Sequence, residues 1–277
     1  MIELPSGDTV AYWEHYADKK PTIILVHGFT GSHEGFQYLV PLLKDFHLII
    51  PDLPGFGVSP LPHDHLTLHG LGELLVDFIE TLNLPEEPHL LGHSMGSLVV
   101  SEAVRQRPSL FAKKLILISP VPAPVGLADQ RLPGAVFGQL YYKASHHLPI
   151  VGKRIATSSK ITRFSTRLIM TAKDADVREA IHGHHLNNLN YISSIGWYGR
   201  LHNEINQTGI TRYKVALQPF DIMMICGIDD NVTPLKLQRK AAQKIGAELV
   251  AIPEVGHLAH YERPGELANA IRNHLGA

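Results

Sequence analysis

Gly92-His93-Ser94-Met95-Gly96 carries the pattern G-x-S-x-G between an apolar run, His89-Leu90-Leu91, and a helix-like one, Ser97 to Val104. A strand that turns sharply into a helix forces its turn residue into a strained backbone conformation. Glycines two positions before and after leave room for that turn, and the serine oxygen is pushed out above the sheet. Ser94 is therefore a candidate nucleophile. A plain Gly/Ser-rich loop would satisfy the same five letters; the strand before and the helix after argue against it.

A serine hydroxyl is a poor nucleophile at neutral pH. It needs a base to take its proton and a third group to orient that base. In a strand-turn-helix context the order along the chain is Ser, Asp/Glu, His. The C-terminal region supplies both partners. Asp221 to Cys226 reads as a buried strand and runs into Gly227-Ile228-Asp229-Asp230-Asn231-Val232-Thr233-Pro234. Leu249 to Ile252 is another short apolar run, followed by Glu254-Val255-Gly256-His257. Each candidate thus lies just past the end of a predicted strand, the edge at which sites form in open α/β sheets. His260 is a second histidine, but it lies past the loop, where Glu262-Arg263-Pro264 opens the last helix.

With these segments in hand the chain resembles the α/β-hydrolase family over nearly its whole length. His27-Gly28-Phe29-Thr30-Gly31 is similar to that family's loop after its third strand, and Asp52-Leu53-Pro54-Gly55-Phe56-Gly57-Val58-Ser59 to the turn after its fourth. Gly92 to Gly96 is similar to its nucleophile elbow, and the acid and histidine loops match in order. The resemblance implies Ser94 as nucleophile and His257 as general base. Asp229 and Asp230 are neighbouring candidates for the acid. The family's frame, Gly-x-x-Asp with a proline four residues later, points to Asp230 with Pro234, leaving Asp229 as a solvent-facing or loop-capping carboxylate. The loop after the sixth strand, Ser119 to Pro124, offers no carboxylate until Asp129. The resemblance also implies an oxyanion hole built from the backbone N–H groups of Met95 and Phe29. Gly28, Gly92 and Gly96 are expected to support the motifs, and His27 and His93 to make structural hydrogen bonds around the elbow.

The implied architecture is an α/β-hydrolase fold: a mostly parallel twisted sheet of about eight strands, helices on both faces, and a helical cap after the sixth strand. Ile2 to Leu4 and Thr9 to His15 suggest a hairpin around Pro5-Ser6-Gly7-Asp8. Strands are expected at 22–27, 48–51, 89–91, 114–119, 221–226 and 248–252. Helices are expected at 33–44, 68–82, 95–106, 235–245 and 265–275. Continuous apolar strands separated by helices indicate a parallel sheet buried on both faces. The alternation breaks between Ala123 and Tyr213, which holds helical stretches at 138–144, 161–172 and 175–190 after a proline-rich entry. We read 1–122 and 214–277 as the core domain and 123–213 as the cap.

The 277 residues carry 44% apolar side chains and a formal net charge of −1. That balance gives no global reason to expect nucleic acid or an anionic membrane. The one cysteine, Cys226, sits in an apolar run and reads as a packed core thiol. The N-terminal residues lack the marks of a signal peptide, and no apolar run approaches the roughly 20 residues that span a bilayer. The expectation is a cytoplasmic protein acting on a small molecule, with its oligomeric state open.

The cap segment holds eleven Lys and Arg against five acids. Lys153, Arg154, Lys160, Arg163, Arg167 and Lys173 form a run with no acid inside it. An anionic substrate or membrane surface would suit such a run, but random assignment of that many charges scatters by about four units. Its aromatics, Phe137, Tyr141, Tyr142, Phe164, Trp197 and Tyr198, are expected mainly to pack the cap on the body, with one or two reaching the pocket. His182-Gly183-His184-His185 invites a metal reading, yet it lacks a cysteine and any nearby acid beyond Glu179. It reads as polar surface, as do His146-His147 and His63/His65. No metal and no organic cofactor is expected.

The expected reaction is acyl transfer to water through an acyl-enzyme, on a small or medium carboxylic ester, lactone, thioester or amide. Related chemistries on the same triad remain open: carbon–carbon bond hydrolysis, peracid formation, acyl transfer, or a slow-turnover ligand sensor. Dehalogenases and epoxide hydrolases of this fold normally place an aspartate at the elbow, so Ser94 argues against both.

Overall fold

The structure, a computed structural model, describes residues 1–64, 66–124, 158–192 and 194–276. Its strands in chain order are β1 (Ile2–Glu3), β2 (Thr9–Val10), β3 (Tyr12–His15), β4 (Thr22–Val26), β5 (His47–Pro51), β6 (His89–His93), β7 (Lys114–Ile118), β8 (Asp221–Gly227) and β9 (Glu248–Ile252). Seven of them form one sheet in the order β3-β5-β4-β6-β7-β8-β9. β3 runs antiparallel to β5, and the other pairings are parallel.

Against the expected count of about eight strands, the described residues place seven in this sheet, with β1 and β2 apart as a two-stranded antiparallel sheet. The expected strand 9–15 divides at Ala11. The Ala11 N–H donates to the Ser59 hydroxyl at 2.9 Å, and its carbonyl accepts from Asp52 N–H at 2.9 Å. Its two backbone groups are thus committed to the 52–59 turn. The expected helix at 33–44 is also corrected: it consists of two 3₁₀ turns, His33–Phe36 and Val40–Leu42. Pro41 lies in the middle of that stretch, where it removes an N–H and its ring clashes with the preceding turn.

Side chains of a strand alternate between faces, and the core divides accordingly. Ile24 and Val26 of β4 enter one buried cluster, Ile23 and Leu25 the other. The first cluster packs beneath α1 (Leu68–Leu82) and α2 (Met95–Gln106). α1 begins at Thr67, whose hydroxyl accepts from Gly70 N–H at 3.1 Å, and ends at Asn83 with φ of 48°. The other face receives the 3₁₀ turns and the final helix.

Between β7 and β8 the described helices are α3 (Ser159–Ile169), α4 (Ala175–Asn190), α5 (Ile195–Asn206) and the short α6 (Lys214–Leu217). The expected helix at 138–144, with Phe137, Tyr141, Tyr142 and His146-His147, lies outside the described residues. After β8 come α7 (Leu235–Ile245), α8 (Ala259–Glu262) and α9 (Pro264–Leu275). Among the described residues no helix is long and apolar enough to cross a membrane.

α5 is anchored by aromatics. Trp197 and Tyr198 are fully buried, and their rings pack 5.3 and 5.1 Å from Phe56. Trp197 Nε1–H donates to the Leu66 carbonyl and the Tyr198 hydroxyl to the Gly55 carbonyl, both at 3.0 Å. The large apolar cluster under α1 and α2 therefore runs without a break into α5. Trp197→Ala is expected to destabilise the whole protein by about 3–5 kcal/mol. Urea unfolding followed by fluorescence and circular dichroism should show one shifted transition rather than separate melting of the segment after β7.

Candidate active site

The strand order fixes where a site can form. β4 lies between β5 and β6, so the chain leaves its C-terminal end toward β5 and later returns on the other side as β6. That reversal opens a crevice at the carboxyl ends of β4 and β6. The loop His27 to Gly31 leaves β4 there, and Ser94 leaves β6.

Ser94 has φ of 50° and ψ of −118°, a positive φ that costs a non-glycine residue of order 1–3 kcal/mol. The surrounding structure enforces it. Ser94 N–H donates to the Ile118 carbonyl at 2.9 Å, and the Ser97 hydroxyl donates to the Ser94 carbonyl at 2.6 Å. A Cβ on Gly96 would lie 2.3 Å from the Val26 carbonyl oxygen, and one on Gly92 2.7 Å from the backbone of Gly96. Both glycines therefore permit close backbone approach. Met95 opens α2, so its N–H is not used within the helix and points out with the positive end of the helix dipole.

His257 Nε2 lies 2.9 Å from Ser94 Oγ, and His257 Nδ1 lies 2.9 Å from Asp230 Oδ2. A carboxylate only accepts, so Nδ1 carries its proton toward Asp230 and Nε2 is the nitrogen facing the serine. Asp230 is buried and fully engaged. Its Oδ1 accepts from Val232 N–H at 2.7 Å and Thr233 N–H at 2.8 Å, and its Oδ2 from the Thr233 hydroxyl at 2.7 Å. Burial alone would raise its pKa, but the charge and hydrogen bond of His257 and the bonds from Thr233 hold it below the usual carboxylate range. Asp229, the alternative acid, is exposed.

The acid and histidine loops touch directly. A Cβ on Gly227 would lie 2.2 Å from the Val255 carbonyl. Glu262 accepts from Thr171 N–H at 3.1 Å and Gly256 N–H at 3.4 Å, which ties the histidine loop to the end of α3.

The remaining motif residues act as joints. The His27 Nδ1–H donates to the Gly28 carbonyl at 2.8 Å, while its Nε2 accepts from Leu53 N–H at 2.9 Å, joining the loops after β4 and β5. His93 Nε2–H donates to the His257 carbonyl at 3.2 Å. Gly28 leaves room for the His93 ring, which lies 2.8 Å from where a Cβ would stand. Asp52 accepts from the backbone of His33 at 2.7 Å and of Val58 at 2.9 Å. Phe29 packs its ring against Phe56 and Tyr198. Sequence reasoning missed Ser97, Thr233 and Glu262. Thr233 had a signal: an aspartate followed two and three residues later by capped N–H groups is an Asx-type turn.

A cavity of about 260 Å³ opens beside Ser94. The loops after β4 and β6 form one side, with Phe29, Phe36 and Met95; Ile161, Leu168, Ile169, Leu189 and Ile205 of α3, α4 and α5 face them. None of Phe164, Trp197 and Tyr198, the described members of the expected aromatic set, lines it. Neither do Lys160, Arg163, Arg167 and Lys173. Arg163 pairs instead with Glu179 at 2.6 Å on the surface, and Lys173 with Glu254 at 3.1 Å. Lys153, Arg154 and His65 lie outside the described residues.

The histidine run on α4 disperses. His182 pairs with the Thr166 hydroxyl, His184 with the Tyr261 hydroxyl at 3.0 Å, and His185 with the Ile181 carbonyl at 2.9 Å. Among the described residues no group of three His, Cys, Asp or Glu is placed to hold a metal ion.

These features have counterparts elsewhere. The family model described as "Alpha/beta hydrolase family" matches residues 23–270. The chain therefore belongs to the alpha/beta hydrolase family and is a hydrolase by class. It is 26% identical to the uncharacterized hydrolase YugF of Bacillus subtilis, over 95% of this chain and 93% of that protein. A thermophilic esterase from Thermogutta terrifontis has a similar structure, with a TM-score of 0.75 and 22% identity over 96% of this chain and 93% of that one. A serine hydrolase from Cycloclasticus zankles superposes with a TM-score of 0.78 and 20% identity over 99% and 96% of the two chains.

Three histidines near the cavity, His260 buried and His185 and His202 part-buried, are held neutral. Burial lowers the pKa of His185 and His202 to about 4, and burial with the neighbouring His257 lowers that of His260 to about 3. The unfolded chain protonates such groups near pH 6.5 while the folded one does not, so stability falls as pH drops below that value. One fully buried histidine gives a slope of about 1.4 kcal/mol per pH unit. His260→Phe is near-isosteric and removes the partnerless Nδ1. Urea unfolding between pH 6.5 and 5 is expected to show a slope shallower by about that amount in this variant; an unchanged slope would refute the assignment.

Proposed function

We propose that the protein is a serine hydrolase in which Ser94 attacks an ester-like carbonyl, His257 takes its proton, and Asp230 orients the imidazole and stabilises its charged form. Backbone N–H groups of Met95 and Phe29 bind the developing oxyanion. An acyl-enzyme forms, and water activated by His257 releases the acid. The observation that carries this reading is the unbroken chain Ser94 Oγ–His257 Nε2–His257 Nδ1–Asp230 Oδ2, with both links at 2.9 Å.

The substrate on this reading is a small or medium, partly apolar ester, lactone, thioester or amide. The cavity of about 260 Å³ and its aliphatic wall support that size and character. Residues 123–213 act as the cap and the rest as the core, a division supported by α3, α4 and α5 supplying one wall of the cavity.

The test is hydrolysis of p-nitrophenyl esters from acetate upward. The wild type is expected to show an optimum in chain length, Ser94→Ala to lose at least about 10⁴-fold in kcat, and Asp230→Asn about 10⁴-fold. Equal rates in wild type and Ser94→Ala would remove Ser94 from the role. Labelling of Ser94 by a fluorophosphonate without ester turnover would redirect the assignment to carbon–carbon hydrolysis, peracid formation, acyl transfer or ligand sensing on the same three residues.

A further inference from the structure

The α4 wall of the cavity carries two hydrogen-bond acceptors that no described group of the chain uses. Asn188 is 8% exposed. Its Nδ2 donates to the Thr30 carbonyl at 3.0 Å. A carbonyl can only accept, so the orientation of the amide is fixed and Oδ1 is turned away from that bond. Oδ1 is buried without a partner.

One turn earlier on α4, His185 Nδ1 lies 2.9 Å from the Ile181 carbonyl. The same reasoning places the ring proton on Nδ1. Burial lowers the pKa of this ring to about 4, so at neutral pH Nε2 is a bare lone pair. No described group donates to it. Residues three apart on a helix share a face, and both His185 and Asn188 line the cavity.

None of the described lining residues is Asp, Glu, Lys or Arg. Among the described residues the site therefore offers an ionised substrate no compensating charge, and an ion without one is costly to bury. It does offer two lone pairs in a wall otherwise rich in aliphatic side chains. A buried acceptor left without a donor is unfavourable, and sites of this kind select strongly for the substrate that supplies the donor.

We propose that Asn188 Oδ1 and His185 Nε2 form a subsite that reads a hydrogen-bond donor, and that the substrate is an uncharged ester-type molecule bearing a hydroxyl or amide N–H that reaches them. The chemistry of that substrate rests on the Ser94 reading above; its recognition does not.

Two pairs of near-isosteric esters test the proposal. Ethyl 3-hydroxybutyrate against ethyl 3-methylbutyrate puts the donor on the acyl side. 2-Hydroxyethyl butyrate against propyl butyrate puts it on the alcohol side. Hydrolysis in a pH-stat gives the kcat/KM ratio within each pair. The wild type is expected to prefer the hydroxylated member of at least one pair by about tenfold or more, and His185→Phe and Asn188→Leu each to bring that ratio toward one. Because the ratio compares two substrates on one preparation, loss of folded protein in a variant cancels.

A ratio near one in both pairs, or a preference untouched by either variant, overturns the proposal. Binding of the same four esters to Ser94→Ala, titrated by NMR, reads the preference without turnover. A binding preference without wild-type hydrolysis refutes the ester-hydrolysis reading alone. Hydrolysis without a preference refutes the donor subsite alone, and neither hydrolysis nor a binding preference refutes both.

Discussion

The first turn of α2 sits against the end of β4, close enough that any side chain at position 96 would meet the Val26 carbonyl at 2.3 Å. This contact sets the geometry of everything around the crevice. It fixes α2 relative to the sheet, so the chain leaving β6 has too little length to turn in an ordinary conformation. Ser94 takes up the mismatch with φ of 50° and is held there by bonds from its own N–H and to its own carbonyl. The same contact brings the open N–H end of α2 beside the loop that leaves β4. A serine oxygen, a helix terminus and a glycine-rich loop are thereby gathered at one point before any histidine or carboxylate arrives.

The histidine and the acid reach that point from the far side of the sheet. β7 lies between β6 and β8, so Asp230 and His257 must come back over the strand ends through their own loops. The two loops brace one another: Asp229 N–H donates to the Val255 carbonyl at 3.0 Å, and Gly227 lies under the same carbonyl. Asp230 is then positioned by donors from residues two and three further on. The imidazole is oriented by a carboxylate whose own orientation is settled locally, within four residues of chain.

Features governed by local chain geometry were legible in the sequence. α1 and α2 begin and end where the periodicity and the flanking residues place them. The five central parallel strands stand where the apolar runs are. What failed had one local cause and otherwise tertiary ones. Nothing in the letters 9–15 says that Ala11 gives its N–H to Ser59, forty-eight residues away. The stretch 33–44 has helical periodicity, and Pro41 was the local signal against it. Glu262, which ties Thr171 to Gly256, and Ser97, which bonds the Ser94 carbonyl, act through contacts that exist only once the elements are packed. The histidine run on α4 reads as polar surface in sequence because 3.6-residue periodicity does not reveal which turn faces a cavity. In the structure its three rings have three different partners.

α4 is the element where local and tertiary logic separate most. Its docking on the α/β body combines an apolar contact of Ile181 with Leu258 and Tyr261 and a seam of polar bonds. Asn188 bonds the Thr30 carbonyl, Asn187 reaches Glu34 at 3.2 Å, and His184 meets both Tyr261 and Gln37. Thr30 itself has φ of 57° and directly follows Phe29. Hydrogen bonds are directional where apolar contacts are not, so such a seam specifies where the helix sits along and around its axis. The result is that one amide, Asn188, a residue of the cavity wall, has its donor end on the loop that follows β4 and its acceptor end buried without a described partner. A group placed against that acceptor engages a side chain already bonded to the loop beside Phe29. Recognition at the proposed subsite and the geometry of the proposed oxyanion site would thus share a single side chain, and that sharing follows from the polar bonds of the seam.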